Sequence, residues 1–236
     1  TYTFELVEVK QETEDIKSFV FNPLDAEFDW VAGQYLDWQL PHVNADERGE
    51  RRWFSIASAP SEGVVMLSCR FAQDGSTLKR RLLELKVGDR VEANGPLGEF
   101  TLEEVREKTV LIAGGVGITP FRAIIKELAA KKGLENITLI HGNKTPENVP
   151  FMGEMNELAD EHEGFTLHYT YSPTIIDSGV IATLAGGLED TVFMISGLEK
   201  MVESIQHSLL EAGVKPDNIH IDDFGGYDWH LDKPVY

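Results

Sequence analysis

The sequence contains a single cysteine, Cys69, among 236 residues. One thiol cannot form a disulfide within the chain, and it cannot supply the thiolates of a common iron–sulfur cluster or of a cysteine-based zinc site. The seven histidines are scattered, without H-E-x-x-H or H-x-H spacing. We therefore predict no metal site, and we expect a reducing, cytoplasmic location.

Long apolar runs and basic residues are also scarce. No stretch approaches the roughly 18 apolar residues of a membrane span, and no signal peptide is visible. The 21 Lys and Arg residues stand against 40 Asp and Glu, which gives a formal net charge of −19. That charge argues against nucleic acid or an anionic membrane surface as a partner. Because the first residue is Thr1 rather than Met, we expect a processed protein or a domain of a longer one, with an upstream anchor left open.

The first half of the chain has the pattern of a small antiparallel β-barrel. Six segments alternate apolar and polar residues as strands do: Thr3–Lys10, Ile16–Phe21, Gln34–Leu40, Arg52–Ala57, Val64–Phe71 and Asp89–Asn94. A helix is predicted over Thr77–Leu85, introduced by Asp74-Gly75-Ser76. Short strands at this spacing predict a barrel, which we assign to a first domain, residues 1–104.

Two places in this half combine cations with other binding groups. Arg52 and Phe54 share one strand face and offer a charge for a phosphate beside a flat surface for a ring. A packed aromatic with a solvated arginine explains the same spacing. Gly75-Ser76-Thr77, followed by Lys79-Arg80-Arg81, suits either a helix start that binds phosphate or an ordinary capped helix with its basic face in water.

The second half alternates strands and helices. Strands are predicted at Val110–Ala113, Thr138–Gly142, Thr166–Tyr171, Thr191–Ser196 and Ile219–Asp223, and helices at Phe121–Lys132, Phe151–His162, Gly179–Leu184 and Glu199–Ala212. Repeated βα units predict a five-stranded parallel sheet with helices on both faces, in a second domain of residues 105–236. The tail, 228–236, has no periodicity, so we expect it to be disordered or folded back over the site.

The stretch Thr109–Pro120, TVLIAGGVGITP, joins a buried strand to a helix through a glycine-rich turn. Free backbone N–H groups and the positive end of a helix dipole suit a diphosphate. The turn departs from the G-x-G-x-x-G fingerprint, and an ordinary tight connection is a rival explanation. Ligands of parallel sheets bind at the carboxyl ends of the strands, so Gly142-Asn143-Lys144 and Ser196-Gly197-Leu198 should meet this turn in one crevice.

Taken in order, these motifs resemble the ferredoxin–NADP reductase family from about Thr1 to Tyr227. The matching segments are Gly33-Gln34-Tyr35, Arg52-Trp53-Phe54-Ser55, Gly75-Ser76-Thr77, Gly95-Pro96-Leu97-Gly98, Gly114–Pro120, Ser196-Gly197 with Met201, and Asp222-Asp223-Phe224 with Gly226-Tyr227. The Gly95–Gly98 segment corresponds to the family's turn that closes the barrel.

The resemblance implies a flavin in the barrel and a nicotinamide dinucleotide on the parallel sheet, with hydride transfer where the two meet. By carry-over, Phe54 lies against the flavin ring, Ser55 bonds near its N5, and Arg52 neutralises the phosphates. The residues assigned to catalysis are Ser55, Ser196, Asp222 and Phe224. Those assigned to cofactor binding are Arg52, Trp53, Phe54, Ser55, Cys69, Arg70, Phe71, Gly75, Ser76, Thr77, Gly114, Gly115, Gly117, Ile118, Thr119, Pro120, Gly142, Asn143, Ser196, Gly197, Leu198 and Phe224.

Three departures from the family pattern keep an alternative open. Phe54 replaces a usual Tyr, Ser196 a usual Cys and Leu198 a usual Pro. A degenerate nucleotide-binding or regulatory module with little reductase activity is therefore a second interpretation. A flavin-free dehydrogenase is a third, which leaves the barrel without a role.

The nucleotide, the type of flavin and the electron acceptor are three separate predictions. We expect NADH rather than NADPH, because no arginine follows Arg122 and the Tyr171–Val180 loop supplies Ser172, Thr174 and Asp177 instead, with Lys144 as the opposing cation. FAD is preferred to FMN, since the family mostly uses FAD and its FMN branch carries its own iron–sulfur domain. The acceptor is open: a redox protein, an upstream domain, a quinone, a ferric chelate or free flavin. The group Lys79-Arg80-Arg81 either docks an acidic ferredoxin, faces the flavin, or is solvated.

Overall fold

The computed structural model describes residues 1–47, 49–71 and 75–224. The first part of the chain forms one antiparallel sheet. Its strands are β1 (Tyr2–Gln11), β2 (Ile16–Pro23), β3 (Tyr35–Gln39), β4 (Arg51–Ser55), β5 (Val65–Arg70) and β6 (Arg90–Leu97), with helix α1 (Thr77–Leu83) between β5 and β6.

This sheet curls into a half-barrel with strand order β4-β3-β6-β1-β2-β5. The two outer strands, β4 and β5, approach each other through a bridge between Ile56 and Leu67. Aromatic side chains fill the interior, where Trp38 packs at ring-centroid distances of 5.2 Å from Phe4 and 4.8 Å from Phe21. The predicted barrel is confirmed as a six-stranded half-barrel, with β4 and β5 as its edge strands.

The second part of the chain is a parallel α/β sheet. Its elements are β7 (Thr109–Gly114), α2 (Ile118–Lys131), β8 (Ile137–Asn143), α3 (Met152–Glu161), β9 (Phe165–Tyr171), α4 (Ser178–Ala185), β10 (Val192–Gly197), α5 (Glu199–Glu211) and β11 (Ile219–Asp223). The strand order is β11-β10-β7-β8-β9, and every pairing is parallel. The predicted sheet is confirmed, and its carboxyl ends lie along one edge.

Most predicted boundaries agree with the structure within two residues, and two elements differ by three. Helix α2 begins at Ile118 rather than Phe121, because Pro120 lies in the first turn, where its missing N–H costs no hydrogen bond. Strand β6 continues to Leu97, which pairs with Tyr35, so most of the segment assigned to a closing turn is strand. Gly95 has a φ of +134°, a backbone conformation that residues with a side chain rarely adopt. A Cβ atom at this position would also lie 2.9 Å from Cδ2 of Leu36.

The helices in these described ranges are all too short or too polar to cross a membrane. The carboxyl ends of β7, β8, β10 and β11 face β4, β5 and α1 of the half-barrel. That junction holds the cavities described next.

Candidate cofactor site

A cavity of about 740 Å³, here called the barrel cavity, lies beside β4 and β5. This volume lies within the range of small-molecule and cofactor pockets. The structure brings nine of the predicted site residues to it: Arg52, Trp53, Phe54, Ser55, Cys69, Ser76, Thr119, Asp222 and Phe224. They come from both parts of the chain, so the cavity exists only because the half-barrel and the parallel sheet are packed together.

Arg52 is the main cation of the strand wall. Its Nη2 lies 2.8 Å from Oδ1 of Asp46, a residue of the loop between β3 and β4. The other carboxylate oxygen of Asp46 accepts a hydrogen bond from the Thr77 amide at 3.0 Å. Burial opposes ionisation of Asp46, but the bonds from Thr77 and Arg52 outweigh it and lower the pKa of this carboxyl. The Asp46 carboxylate therefore occupies two donors that suit a phosphate, the Arg52 guanidinium and the Thr77 amide. A flavin phosphate bound by Arg52 would share these donors with Asp46 or displace its carboxylate from them.

The three basic residues of α1, Lys79, Arg80 and Arg81, have different surroundings. Lys79 is buried and lines the barrel cavity, and its amide donates to Ser76 Oγ at 3.3 Å. Arg80 donates to the Gly75 carbonyl at 2.8 Å, and Arg81 pairs with Glu84 at 3.6 Å. Lys79 thus belongs to the cavity, which favours the flavin-facing interpretation of this residue over an exposed docking patch.

A second cavity of about 490 Å³, here called the sheet cavity, follows the carboxyl ends of the parallel strands. Seven of the predicted residues line it: Arg70, Gly114, Gly115, Gly142, Asn143, Leu198 and Phe224. The Oδ1 atom of Asn143 is buried and accepts no hydrogen bond from the described residues. A buried acceptor that faces a cavity is ready to bind a donor from a ligand.

The glycines of the loop permit close backbone approach. A Cβ atom at Gly117 would lie 2.3 Å from the carbonyl oxygen of Ser196, and one at Gly114 would lie 2.4 Å from Sδ of Met201. Distances this short are prohibitive for any side chain at Gly117, because the neighbour is backbone. The loop can therefore lie directly against β10, with Gly114, Gly115 and Val116 lining the sheet cavity.

His141 supports this loop from behind. It is fully buried in β8, and its Nε2 donates to the carbonyl of Gly115 at 2.8 Å, where the glycine has φ +52°. Burial lowers the pKa of His141 to about 4, although the bond to Gly115 opposes the shift. The imidazole is therefore neutral at physiological pH, and it fixes one carbonyl of the loop.

A polar pair lies where β10 and β11 end. Ser196 Oγ donates to Oδ2 of Asp222 at 3.2 Å. Burial raises the pKa of Asp222 to about 6, the Ser196 bond opposes this, and the charge of Asp223 adds to it. Phe224 follows directly, and its amide donates to the Gly197 carbonyl at 3.1 Å. Phe224 and Val116 line both cavities, so the two spaces adjoin at these residues.

Eight predicted residues line neither cavity: Phe71, Gly75, Thr77, Gly117, Ile118, Pro120, Ser196 and Gly197. Ile118 is fully buried in the core, and Thr77 is bonded to Asp46 and His42. Ser196 is also fully buried and reaches the barrel cavity only through Asp222.

One argument for NADH is corrected by the structure. Asp177 does not line the sheet cavity, because its carboxylate accepts from the Val180 amide at 2.9 Å and begins α4. Among the described residues, the charged side chains that line this cavity are cations: Arg70, Lys144 and Lys200. The sequence predictions for Asp74, Gly226, Tyr227 and the tail 228–236 lie outside the described residues.

Several cavity residues were not among the predicted site residues, although Tyr35 and Val116 lie in segments that carry the family resemblance. Val116, Tyr35 and Asp37 line the barrel cavity, and Lys200 and Ser204 line the sheet cavity. Val116 is the variable position inside the G-x-G pattern, so the motif itself marked the place. No sequence motif marked Asp37 or Ser204. Asp37 reaches the barrel cavity through the pairing of β3, and Ser204 reaches the sheet cavity through the packing of α5.

The fold and the paired cavities define a two-part protein with two adjoining candidate sites at the junction of its parts. The oxidoreductase FAD-binding domain matches residues 3–102, and the oxidoreductase NAD-binding domain matches residues 111–207. The chain therefore carries an FAD-binding domain followed by an NAD-binding domain, and it belongs to the ferredoxin reductase-like family. The resemblance drawn from the sequence motifs is confirmed.

Relatives of this chain come from several larger proteins. It is 26% identical over 230 residues to flavohemoprotein A of Dictyostelium discoideum, covering 91% of this chain and 58% of that protein. It is 28% identical over 228 residues to the F component of the Na(+)-translocating NADH-quinone reductase of Neisseria meningitidis serogroup B, covering 86% and 55%. The chain thus spans a little over half the length of these relatives.

A solved structure shares the fold. The flavohem-like FAD/NAD binding domain of nitric oxide dioxygenase from Vibrio cholerae superposes with a TM-score of 0.78 at 24% identity, over 94% of this chain and 98% of that one. The residues found here fit both dinucleotides. Arg52 and Lys79 supply charge for phosphates and Phe54 supplies a ring surface, while Asn143 and the glycine loop supply polar groups on the sheet side.

Proposed function

We propose that this protein is an NADH-dependent flavoprotein reductase. Bound FAD would accept a hydride from NADH and pass electrons to a separate acceptor, and this redox chemistry belongs to the cofactors. The observation that carries the proposal is the meeting of the barrel cavity and the sheet cavity at Val116 and Phe224. A flavin in the first and a dinucleotide in the second would meet there, and proximity is the main catalytic requirement of hydride transfer.

We assign the flavin-binding roles to the barrel cavity. Arg52 holds the phosphates, Phe54 lies against the ring, and Ser55 donates or accepts near its reactive nitrogen. Gly75, Ser76 and Thr77 complete the phosphate end, and Cys69 forms the wall from β5. We keep Phe71 and Arg70, which lines the sheet cavity, as further flavin-binding residues. Phe54 lacks the hydroxyl of the tyrosine usual in the family, so ring contact rather than a hydroxyl bond supports the flavin at this position.

We assign the nucleotide to the sheet cavity and the reaction geometry to the strand ends. The loop Gly114–Pro120 binds the diphosphate, and Asn143 and Leu198 border the rest of the nucleotide. Phe224, which lines both cavities, would cover the flavin face that nicotinamide has to reach. Asp222, oriented by Ser196, is the acidic group beside the path of the hydride.

NADH remains our preferred donor, and the acceptor lies outside this site. No arginine follows Arg122, and arginine pairs with a 2′-phosphate more strongly than lysine does. Lys144 and Lys200 are the groups that would favour NADPH. The larger relatives support an acceptor that is an additional domain or a partner redox protein, with a quinone or a small ferric or flavin acceptor as the remaining options. We place the domain division at residues 1–104 and 105–236.

Anaerobic titration tests the proposal. The protein is reconstituted with FAD, and the oxidised-flavin absorption is followed after mixing with NADH. Loss of that absorption at a rate that saturates with NADH is expected. A preparation that takes up neither FAD nor FMN would rule out the flavoprotein. Uptake of flavin without NADH-dependent bleaching would support the degenerate module, and nicotinamide-dependent oxidation of a substrate by flavin-free protein would support the dehydrogenase.

A further inference from the structure

Arg122, on helix α2, lies at the contact between the parallel sheet and the half-barrel. The side chain is 4% exposed, and its guanidinium faces three partners. Nη1 donates to the Ala57 carbonyl at 2.8 Å and to Glu62 Oε2 at 2.9 Å, and Nη2 donates to Glu62 Oε1 at 3.0 Å. Two of these partners belong to the half-barrel, so one side chain ties the two parts of the chain together.

The third partner belongs to the same part of the chain as Arg122. Nη2 donates to Glu154 Oε1 at 3.0 Å, and Nε lies 2.8 Å from Glu154 Oε2, with Glu154 on α3. The ring of Phe151 lies under the guanidinium at 5.2 Å. One edge of the Arg122 guanidinium is thus bound by Glu154 of α3, in the same part of the chain. The other edge donates to Glu62 and Ala57 of the half-barrel.

On both sides of this contact, residues close in sequence belong to the candidate site. Thr119, which lines the barrel cavity, lies one turn before Arg122 on α2, and the glycine loop precedes the helix. On the other side, Ala57 follows the flavin strand two residues after Ser55. Glu62 is fixed in turn, because its Oε2 accepts from the Ala59 amide at 2.6 Å.

We propose that Arg122 is a positioning residue that sets the distance and angle between the nucleotide loop and the flavin strand. The inference rests on the proposed function, since it assigns the geometry of that same site. The guanidinium is buried, while the side chains of Glu62 and Glu154 are 25% and 38% exposed. Such ion pairs are a poor way to gain stability, because desolvation of the guanidinium offsets much of the attraction. Such a network does specify one relative placement, and a bidentate pair fixes both separation and angle.

Glu62 and Glu154 provide a matched pair of test variants. Both carboxylates bind the same guanidinium, but Glu62 lies across the contact and Glu154 lies on the same side. Glu62→Gln is expected to slow flavin reduction at saturating NADH about tenfold, because small misplacements of reacting groups are costly, while FAD affinity stays unchanged. Glu154→Gln is expected to leave the rate near that of the wild type. Arg122→Lys should resemble Glu62→Gln, since it loses the bidentate geometry.

A second measurement is independent of activity. Backbone hydrogen exchange of the flavin-free proteins is followed in residues 57–62 and 115–122. Faster exchange on both sides in Glu62→Gln, and not in Glu154→Gln, is expected. Equal effects of the two variants on rate and exchange, or wild-type behaviour of Glu62→Gln in both, would overturn the role of Arg122. If the wild type itself showed no NADH-dependent bleaching, the proposed function would fail, and the exchange result would still decide the positioning role.

Discussion

Ser196 and Asp222 face each other across neighbouring parallel strands, with the serine hydroxyl donating to the carboxylate at 3.2 Å. The serine is fully buried, whereas the carboxylate reaches the barrel cavity. The pair therefore links the interior of the nucleotide domain to the place where the two cavities meet. A serine in this position orients an acid rather than contacting the cavity.

Asp222 should give the reaction a pH dependence. Because burial raises its pKa to about 6, the carboxyl changes charge near that pH. We expect the rate of flavin reduction to show an inflection near pH 6 that Asp222→Asn removes, measured by stopped-flow mixing across pH 5 to 8. The exposed Asp217→Asn is the control, and an inflection retained in Asp222→Asn would assign it to another group.

The same pKa has a consequence for stability. The folded protein holds the proton of Asp222 more tightly than the unfolded chain, whose carboxyl titrates near 3.8. The contribution of Asp222 to the free energy of unfolding therefore falls as the pH rises from about 4 to about 6 and is constant above. Denaturant titrations of the wild type and Asp222→Asn should diverge in that window.

His141 should matter for nucleotide binding and for stability at acid pH. His141→Phe removes the donor to the Gly115 carbonyl, and loss of one such bond is expected to raise the KM for NADH up to about tenfold, with His141→Gln retaining more of the affinity. Since the folded pKa is about 4 against an ordinary value of 6.5, protonation of the unfolded chain removes about 2 kcal/mol of stability between pH 7 and 5. The exposed His207→Gln is the control, and equal pH dependence in His141→Gln would contradict this assignment.

Arg52 should control flavin affinity. Charge-assisted hydrogen bonds contribute about 1.5–3 kcal/mol, so Arg52→Met is expected to weaken FAD binding by roughly one to two orders of magnitude. Fluorescence titration with FAD measures the change. Arg90→Met removes an arginine that pairs with Glu5 on the other side of the half-barrel at 3.2 Å. If both variants lost affinity equally, the effect would be a general one of charge.

The choice of nucleotide should depend on the cations of the sheet cavity. We expect a higher kcat/KM with NADH than with NADPH. Lys144→Ser should lower kcat/KM for NADPH about tenfold, because it removes a charge beside a 2′-phosphate, and leave NADH unchanged. Lys132→Ser, an exposed change at the end of α2, is the control. A wild-type preference for NADPH would show that Lys144 and Lys200 suffice without an arginine.

The order of the elements followed from periodicity. The alternation in the first part and the βα repeats in the second predicted both sheets, because burial of one or both strand faces leaves a clear pattern in the chain. The start of α2 was misplaced since Pro120 is a usual helix breaker that happens to lie in a first turn.

The sequence predicted the site residues wherever a short continuous segment supplies them. Arg52-Trp53-Phe54-Ser55 and Gly114–Pro120 marked the walls of the two cavities, because local spacing fixes which groups share a strand face or a loop. The sequence could not predict that Ser196 is fully buried and bonded to Asp222, because both depend on the pairing of β10 with β11.

The sequence by itself determined the two sheets, the cofactor-binding segments and the absence of a cysteine-based cluster, because each is a property of residue type and local spacing. Only the tertiary structure decided that Arg122 bridges to Glu62, sixty positions earlier in the chain, that Asp46 pairs with Arg52, and that Asp177 stays out of the sheet cavity. These are contacts between elements distant in sequence, or choices among local partners. The first is set when the half-barrel and the parallel sheet pack together, and the other two are set by how a loop folds within one of these parts. The one-dimensional pattern carries no record of either.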